Sequence, residues 1–286
     1  MVDGPSVLYR AFFALPKTIT DDRDRPVNAL LGAVNMTLQI VEEHDPRAVV
    51  LCFGPDAATY RLELYPPYHA DRPPVPDEFV WQWSVAPDVF DALGWSTVRD
   101  EDLEADDLLY TFALAERGAG GEALILTGDR DLFQCADDGV RVLYLKTGVK
   151  GTETVDAAEV ERRYGVPPKL VPDYIALRGD PSDGLPGAKG IGEKTAAELL
   201  RRHGSLEGAI AGALRERSPR VRGALRDDAD QLRAFKDIAT LRRAKGIRRP
   251  RDRATDYAGG AKAVRGLGMR RLAERLERLE ERRRRA

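Results

Sequence analysis

EADDLLYTFALAERGAGGEALILTGDRD, residues 104–131, reads as one helix, one strand and an acidic cluster at the start of the helix and after the strand. Leu108, Leu109, Phe112 and Ala113 recur at helical spacing, and Gly118 supplies a stop. Ala123–Thr127 is a short apolar run of strand length. Glu104, Asp106 and Asp107 open the helix, and Asp129 and Asp131 follow the strand. A helix feeding a buried strand over so short a link is the repeating step of a parallel sheet.

The same alternation continues outward. Ala48–Phe53 and Val140–Leu145 are further strand-like runs, and Asn28–Glu43 is helical, with Leu30, Leu31, Val34, Leu38 and Val41 on one stripe. The expected class is α/β, a mostly parallel central sheet flanked by helices. Ligands of such folds gather beyond the carboxyl ends of the strands, where Asp3, Gly54 and Asp129 fall. Residues 55–90 break the pattern. Pro66, Pro67, Pro73, Pro74, Pro76 and Pro87 predict an irregular insertion, with Tyr60, Arg61, Tyr65, Tyr68, His69 and Arg72 interleaved. Long insertions of this kind usually carry function. From about Val166 the pattern is helical. The expected organisation is a core over 1–165 and a helical lobe over 166–286 that ends in a basic helix.

Bulk properties narrow the function. With two cysteines, three histidines and no C-x-x-C, neither a disulfide framework nor structural zinc is expected. No run of about 18 apolar residues is present, and the N-terminus lacks the plan of a signal peptide; a reducing cytoplasm is the expected location. Residues 241–286 hold 17 Lys+Arg against 6 Asp+Glu, whereas 1–240 hold 28 against 41. An acidic body with a basic tail suits a protein that concentrates cations and touches phosphates. The run Arg282–Arg285 alone fits a solvated terminal helix equally well.

Asp3, the stretch Glu104–Asp107, the stretch Thr127–Asp131 and Gly179-Asp-Pro-Ser-Asp-Gly-Leu-Pro186 together concentrate carboxylates that repel one another unless cations lie between them. Taken singly, E-A-D-D also fits a helix N-terminus answering the macrodipole, and Asp-x-Asp an Asx turn or a phosphatase-like nucleophile. Their joint occurrence favours metal. Oxygen ligands without histidine select Mg²⁺ or Mn²⁺ over zinc, and two such ions about 4 Å apart would serve phosphodiester hydrolysis. The Asp180–Asp183 stretch runs into Gly187-Ala-Lys-Gly-Ile-Gly-Glu-Lys-Thr195. There Gly190 and Gly192 form a turn at a helix start, with Lys189, Lys194 and Thr195 beside it, suited to a DNA phosphate. A plain helical packing unit is the competing reading. His44 and His203 stand at helix ends, as caps or exposed residues rather than ligands.

These residues resemble the 5′ nuclease domain of bacterial family A DNA polymerases and its flap-endonuclease relatives. The likeness runs collinearly through Asp3-Gly4, Tyr9-Arg-Ala-Phe-Phe-Ala-Leu15, Tyr68-x-Ala-x-Arg72, E-x-D-D, T-G-D-x-D, and G-D-x-S-D followed by L-P-G-x-x-G-I-G-x-K-T-A. It implies a PIN-like core with a helix–three-turn–helix lobe. Asp3, Glu104, Asp106 and Asp107 would hold one ion, Asp129 and Asp131 would lie centrally, and Asp180 with Asp183 would complete a second site. The insertion would be an arch over a threaded 5′ strand, with Arg10 and Arg72 on phosphates, Tyr68 stacked on a base and His69 near the scissile phosphate. The glycine-rich turn would grip duplex backbone, with K⁺ near Ser182. The implied partner is DNA with 5′ ends, flaps or nicks, or an RNA primer, bound by a monomer without a membrane.

Two departures bear on activity. Gly54 stands where the family has an aspartate, and His69 where it has a lysine. They imply a slower enzyme with a weak ion site beside Asp3 and Glu104, which an aspartate at 54 is expected to repair. A third departure, Gly184 in place of the family's asparagine, implies at most a lost loop hydrogen bond. The competing functions are a branched-DNA-binding module with decayed chemistry and a small PIN-type ribonuclease. Two expectations concern the ends: a free-standing nuclease, because the chain stops where a polymerase would begin, and a longer native N-terminus, because only Met1 and Val2 precede Asp3.

Overall fold

The computed structural model describes residues 1–146, 148–149 and 151–285. In chain order the elements are β1 (Val2–Asp3), α1 (Gly4–Ala14), α2 (Asn28–His44), β2 (Val50–Phe53), α3 (Thr59–Leu64), α4 (Asp77–Ala92), β3 (Ser96–Arg99), α5 (Ala105–Gly118), β4 (Ala123–Thr127), β5 (Val140–Leu145) and β6 (Thr152–Val155). Helices follow to the end: α6 (Ala157–Tyr164), α7 (Val171–Arg178), α8 (Glu193–His203), α9 (Leu206–Ala211), α10 (Pro219–Asp227), α11 (Ala229–Ala239), α12 (Tyr257–Gly266) and α13 (Arg270–Arg285). The strands form one sheet in the order β3-β2-β1-β4-β5-β6, parallel except for β6. The α/β fold with a mostly parallel, helix-flanked sheet is therefore as expected.

The order explains where a site can form. From the centre the chain steps outward through β2 and β3 on one side, and through β5 and β6 on the other. Connections leave in opposite directions at the β1–β4 junction, opening a crevice at the carboxyl ends of these two strands. Side chains alternate across the sheet. Cys52, Ile125 and Val142 enter a core with α5 and helices α7 to α11, whereas Leu51, Leu126 and Leu143 enter a second core with α1, α2 and α4.

Two expectations of organisation need correction. Residues 166–286 are not one lobe: α12 and α13 turn back and bury Ala261, Val264, Leu272 and Leu276 in the second core, against α2 and α4. A strap over 240–256 carries the chain across. It is fixed where Leu241 N–H donates to Gln134 (3.1 Å), Ala244 N–H to Thr111 (2.8 Å) and the Trp95 indole to Thr255 (3.0 Å). Residues 55–90 are also more regular than their prolines suggest. Helix α4 continues past Pro87, because Phe79, Ala86, Val89 and Phe90 bury one stripe. That burial outweighs the roughly 3 kcal/mol that an interior proline costs.

A buried amide pair bolts α4 to the core. Gln82 Oε1 accepts from Ala29 N–H (2.7 Å) and Leu30 N–H (3.3 Å), capping α2, whose preceding residue Val27 offers no side-chain acceptor. Its Nε2 donates to Asn28 Oδ1 (3.1 Å), and Asn28 donates to the Phe12 and Leu15 carbonyls (2.9 and 3.0 Å). Gln82→Ala would strand buried donors and an acceptor together, so a loss of roughly 2–4 kcal/mol is expected. Urea unfolding checks this; an unchanged midpoint would contradict the capping role.

Candidate active site

The site assembles from the ends of elements. Asp3 ends β1 and caps α1, with Oδ1 accepting from Ser6 N–H (3.0 Å) and Oδ2 from the Thr127 hydroxyl (2.6 Å). Gly128 N–H donates to Ser6 Oγ (2.8 Å), locking the turn after β4 that carries Asp129. Asp131 opens a single 3₁₀ turn, and its N–H donates to Asp129 Oδ1 (2.8 Å). Glu104 precedes α5 and Asp106 lies in its first turn. Asp180 and Asp183 come from the loop after α7, pinned by the Asp180–Leu185 backbone pair.

Seven of the eight expected ion ligands, Asp3, Glu104, Asp106, Asp129, Asp131, Asp180 and Asp183, line one cavity of about 740 Å³. Asp56, His69, Arg72 and Arg178 join them, and Tyr9, Phe79 and Trp83 contribute an apolar wall. The acids are under-neutralised. Burial, and then the neighbouring carboxylates, push Asp106 and Asp131 well above the ordinary range. The same causes bring Asp129 up to about 7, although it stays partly open to the cavity. Burial raises Asp3 too, against the hydrogen bonds it accepts. This chemistry fits divalent cations: many anionic oxygens, no imidazole cluster, and too little internal positive charge. Among the described residues, no three His, Cys, Asp or Glu side chains already converge on one point as ligands.

A pH linkage follows. The folded protein binds these protons more tightly than the unfolded chain, whose aspartates titrate near 3.8. Stability of the ion-free protein therefore falls as pH rises from about 4 through about 7. A cation that relieves the repulsion should raise the melting temperature several-fold more at pH 8 than at pH 5. Calorimetric melting with Ca²⁺ or EDTA tests this; an equal shift at both pH values would rule it out.

Several expected residues stand elsewhere or are otherwise engaged. Asp107 is the one expected ligand that does not reach the cavity. It is fully buried and accepts from Tyr60 OH (3.0 Å), the Arg61 guanidinium (3.3 and 3.4 Å) and Arg242 N–H (2.7 Å). One residue beyond Asp106 on α5, and so about 100° around the helix axis, it faces the junction with α3 and α11 instead of the cavity. Tyr68 lines the cavity but is largely buried: its hydroxyl donates to Glu104 Oε2 (3.2 Å), and the His69 ring stacks on it at 3.7 Å. His69 adopts a left-handed backbone conformation (φ 58°). Its ring nitrogens face the Asp56 carbonyl (2.6 Å) and Asp183 Oδ1 (3.1 Å). Both partners are acceptors, so both are satisfied only when each ring nitrogen carries a proton. Arg72 bridges Asp56 (2.7 Å) and Asp183 (3.4 Å).

Arg10 lies in a smaller neighbouring cleft with Phe13 and Gly148, donating to the Lys146 carbonyl (2.7 Å). Ser182, expected near K⁺, donates both its N–H and its hydroxyl to Asp180 and so stands within the acidic site, apart from the glycine turn. That turn forms a separate patch. Gly190 has φ 80°, Gly192 precedes α8, Lys189 and Lys194 are exposed and Thr195 is half-buried. Arg220 of α10 rests against it; a Cβ on Gly190 would fall 2.0 Å from the Arg220 Nε. The sequence reading missed Arg220, since nothing in the spacing links residues thirty apart. His203 ends α8 and contacts Glu216 at 2.7 Å.

Gly54 overturns one expectation. A Cβ there would lie 2.2 Å from the Leu103 carbonyl oxygen, 2.8 Å from Glu104 Cα and 2.9 Å from Ala105 N. The backbone that presents Glu104 occupies the space a side chain needs, so an aspartate at 54 cannot simply be restored.

Comparison with known proteins identifies the family of the chain. Residues 1–165 match the family described as 5′-3′ exonuclease, N-terminal resolvase-like domain, and residues 166–254 its C-terminal SAM fold. A 5′-3′ exonuclease of Mycobacterium tuberculosis (strain ATCC 25618 / H37Rv) is 39% identical over 233 residues, covering 74% of this chain and 73% of that protein. One from Streptomyces coelicolor is 41% identical over 225 residues, covering 74% of each. The thermostable DNA polymerase I of Thermus thermophilus is 36% identical over 277 residues, 97% of this chain. The chain spans 23% of the mycobacterial and 32% of the Thermus polymerase I relatives. In fold it is similar to the T5 5′-exonuclease with bound zinc (TM-score 0.70, 15% identity, 96% and 95% coverage). It is likewise similar to a bacteriophage T5 flap endonuclease complexed with DNA and metal ions (TM-score 0.70, 15% identity, 98% of both chains). The Rad2 catalytic core with DNA substrate is also similar (TM-score 0.57, 16% identity, 92% and 84% coverage).

Proposed function

The chain belongs to the 5′-3′ exonuclease family, and from that premise we propose that it is a divalent-cation-dependent 5′ nuclease, hydrolysing DNA phosphodiesters at 5′ ends, flaps or nicks. The observation that carries this reading is the convergence of seven carboxylates from four separate stretches on one cavity at the β1–β4 crevice. Asp3, Glu104 and Asp106 on one side and Asp129, Asp131, Asp180 and Asp183 on the other would hold Mg²⁺ or Mn²⁺. Bound there, such ions supply Lewis acidity to the phosphate and the leaving oxygen.

The chain's own groups do the rest. Among the described residues, the Asp106 carboxylate accepts no protein hydrogen bond, which leaves it free to turn inward. Arg72 and Arg178 line the same cavity and can align a phosphate. Lys189, Gly190, Gly192, Lys194 and Arg220 form the backbone-binding patch, and Arg178 approaches Glu193 at the start of α8 (3.6 Å), joining patch to cavity. Contacts of this kind select shape rather than sequence. Tyr9 and Trp83, the half-buried rings of the apolar wall, offer a nucleobase more surface than the buried Tyr68.

The absence of an acid at 54 favours a second reading, a branched-DNA-binding module with weakened chemistry. One assay separates the two. A 5′-labelled flap incubated with the protein should be cut in Mg²⁺ or Mn²⁺ and left intact in EDTA. Binding without cleavage in either ion would leave the binding-module reading.

A further inference from the structure

Helix α3 buries a cation beside the cavity, Arg61, which links Glu104 to Asp107 and to the Ile238 carbonyl of α11. Arg61 is 3% exposed. Its Nη1 lies 2.9 Å from Glu104 Oε1 and 3.3 Å from Asp107 Oδ2, and its Nη2 3.4 Å from Asp107 Oδ1. Its Nε donates to the Ile238 carbonyl (3.0 Å) in α11. Burial alone would favour the neutral form, but the Glu104 and Asp107 carboxylates hold the guanidinium charged. A cation this deep is tolerated only when fully partnered, and every partner here is fixed. Asp107 is held by Tyr60 OH and Arg242 N–H. Ile238 belongs to a helix packed against α7 and α3.

The planar fork then constrains Glu104. Its Oε1 is taken by Arg61 and by Ala58 N–H (2.7 Å), and its Oε2 keeps only the Tyr68 hydroxyl (3.2 Å). Oε2 is thus the oxygen with lone pairs to spare. Charge agrees with geometry: Glu104 and Asp107 lie one helical turn apart and would repel, and one guanidinium between them leaves a single net negative charge for the cavity.

We propose that Arg61 is a positioning residue for Glu104, held by Asp107 and by the Ile238 carbonyl, so that the direction of this carboxylate depends on the docked end of α11. The proposal rests on the reading of Glu104 as an ion ligand and adds how the helical region fixes it. Lysine at 61 would keep the charge but lose the fork, since a point charge cannot serve two carboxylates and a carbonyl in fixed directions.

The test uses the whole chain and Ca²⁺ as a non-hydrolysing probe, comparing wild type with Arg61→Lys, Asp107→Asn, Glu104→Gln and the double variant R61K/E104Q. Calorimetric Ca²⁺ titration, flap binding in Ca²⁺, thermal melting and the Mg²⁺ dependence of cleavage are measured on each. Arg61→Lys should weaken Ca²⁺ at one site by about 10-fold or more, the usual scale for a partner behind a ligand, and leave flap affinity within about twofold. Asp107→Asn should act in the same direction, and the double variant should bind Ca²⁺ no worse than Glu104→Gln alone. Wild-type ion affinity in Arg61→Lys, or a loss that adds fully to that of Glu104→Gln, would overturn the proposal. If Arg61→Lys does not fold, Asp107→Asn decides on the same criteria. A wild type that takes up no Ca²⁺ would overturn the ion-dependent reading itself and the proposal with it, whereas normal uptake with indifferent variants would remove only the proposal.

Discussion

Asp129→Asn is expected to lower the flap-cleavage rate on the order of 10³-fold or more while making the ion-free protein harder to melt. The two effects share one cause. Asp129 sits among Asp183, Asp3 and Asp180, and burial with these neighbours brings its carboxyl up to about 7. Above that pH the folded protein must hold the charge at a free-energy cost that the unfolded chain escapes. Removing the charge should therefore stabilise the ion-free form, by about 1–2 kcal/mol once the water in the cavity is allowed for, or roughly 2–8 °C. The gain should vanish below pH 4, where both forms are protonated, and grow between pH 4 and 7. In Ca²⁺ the order should reverse, because the wild type gains more from the ion. Flap binding should survive, since the Lys189–Thr195 patch and Arg220 lie outside the cavity. Melting curves with and without Ca²⁺ at pH 5 and 8, single-turnover cleavage and flap binding in Ca²⁺ check these outcomes. A variant that cuts at the wild-type rate, or melts lower than wild type without ions at pH 8, would remove Asp129 from the ion-holding role.

The second large effect reverses what the sequence suggests. Gly54→Asp should not repair the site; it should destabilise the protein by roughly 2–4 kcal/mol and raise the metal requirement. The new Cβ would meet backbone atoms of Leu103, Glu104 and Ala105, and no rotamer relieves a clash with backbone. Asp100 N–H donates to the Phe53 carbonyl (3.3 Å), and Leu103 N–H to Asp100 Oδ1 (3.0 Å), so the segment cannot simply lift away. If it does move, Glu104 moves with it, and the ion site suffers from the change meant to improve it. Urea unfolding and Mg²⁺ titration of cleavage are the measurements. A variant as stable as wild type that cuts at lower Mg²⁺ would show that the Leu103–Ala105 backbone has another position available.

Much of the site was legible because its parts are local. Asp129 and Asp131 follow an apolar run of strand length, Glu104 and Asp106 open an amphipathic helix, and Asp180 and Asp183 share one glycine-bounded loop. In each case a few neighbouring residues fix the backbone, and the backbone fixes the side chain to a strand or helix end. Asp107 misled the reading because adjacent helical positions differ by about 100° around the axis. One sequence step separates a cavity carboxylate from a fully buried one. Tyr68 misled it because an aromatic ring beside arginines reads the same whether it faces solvent or a neighbouring carboxylate.

The sequence by itself determined the strand and helix alternation, the crevice at the strand ends, the acidic character of the site and the glycine turn at the start of α8. These follow from period, turn chemistry and charge, which act over a few residues. Only the tertiary structure decided which carboxylates share a cavity, that Arg61 stands behind Glu104, that Gly54 is closed by the backbone before α5, and that α12 and α13 cover the second core instead of extending the lobe. Each of these is a contact between segments tens to hundreds of residues apart. Such contacts are chosen by the fit of buried surfaces and the pairing of buried polar groups, for which the linear spacing of residues carries no signal.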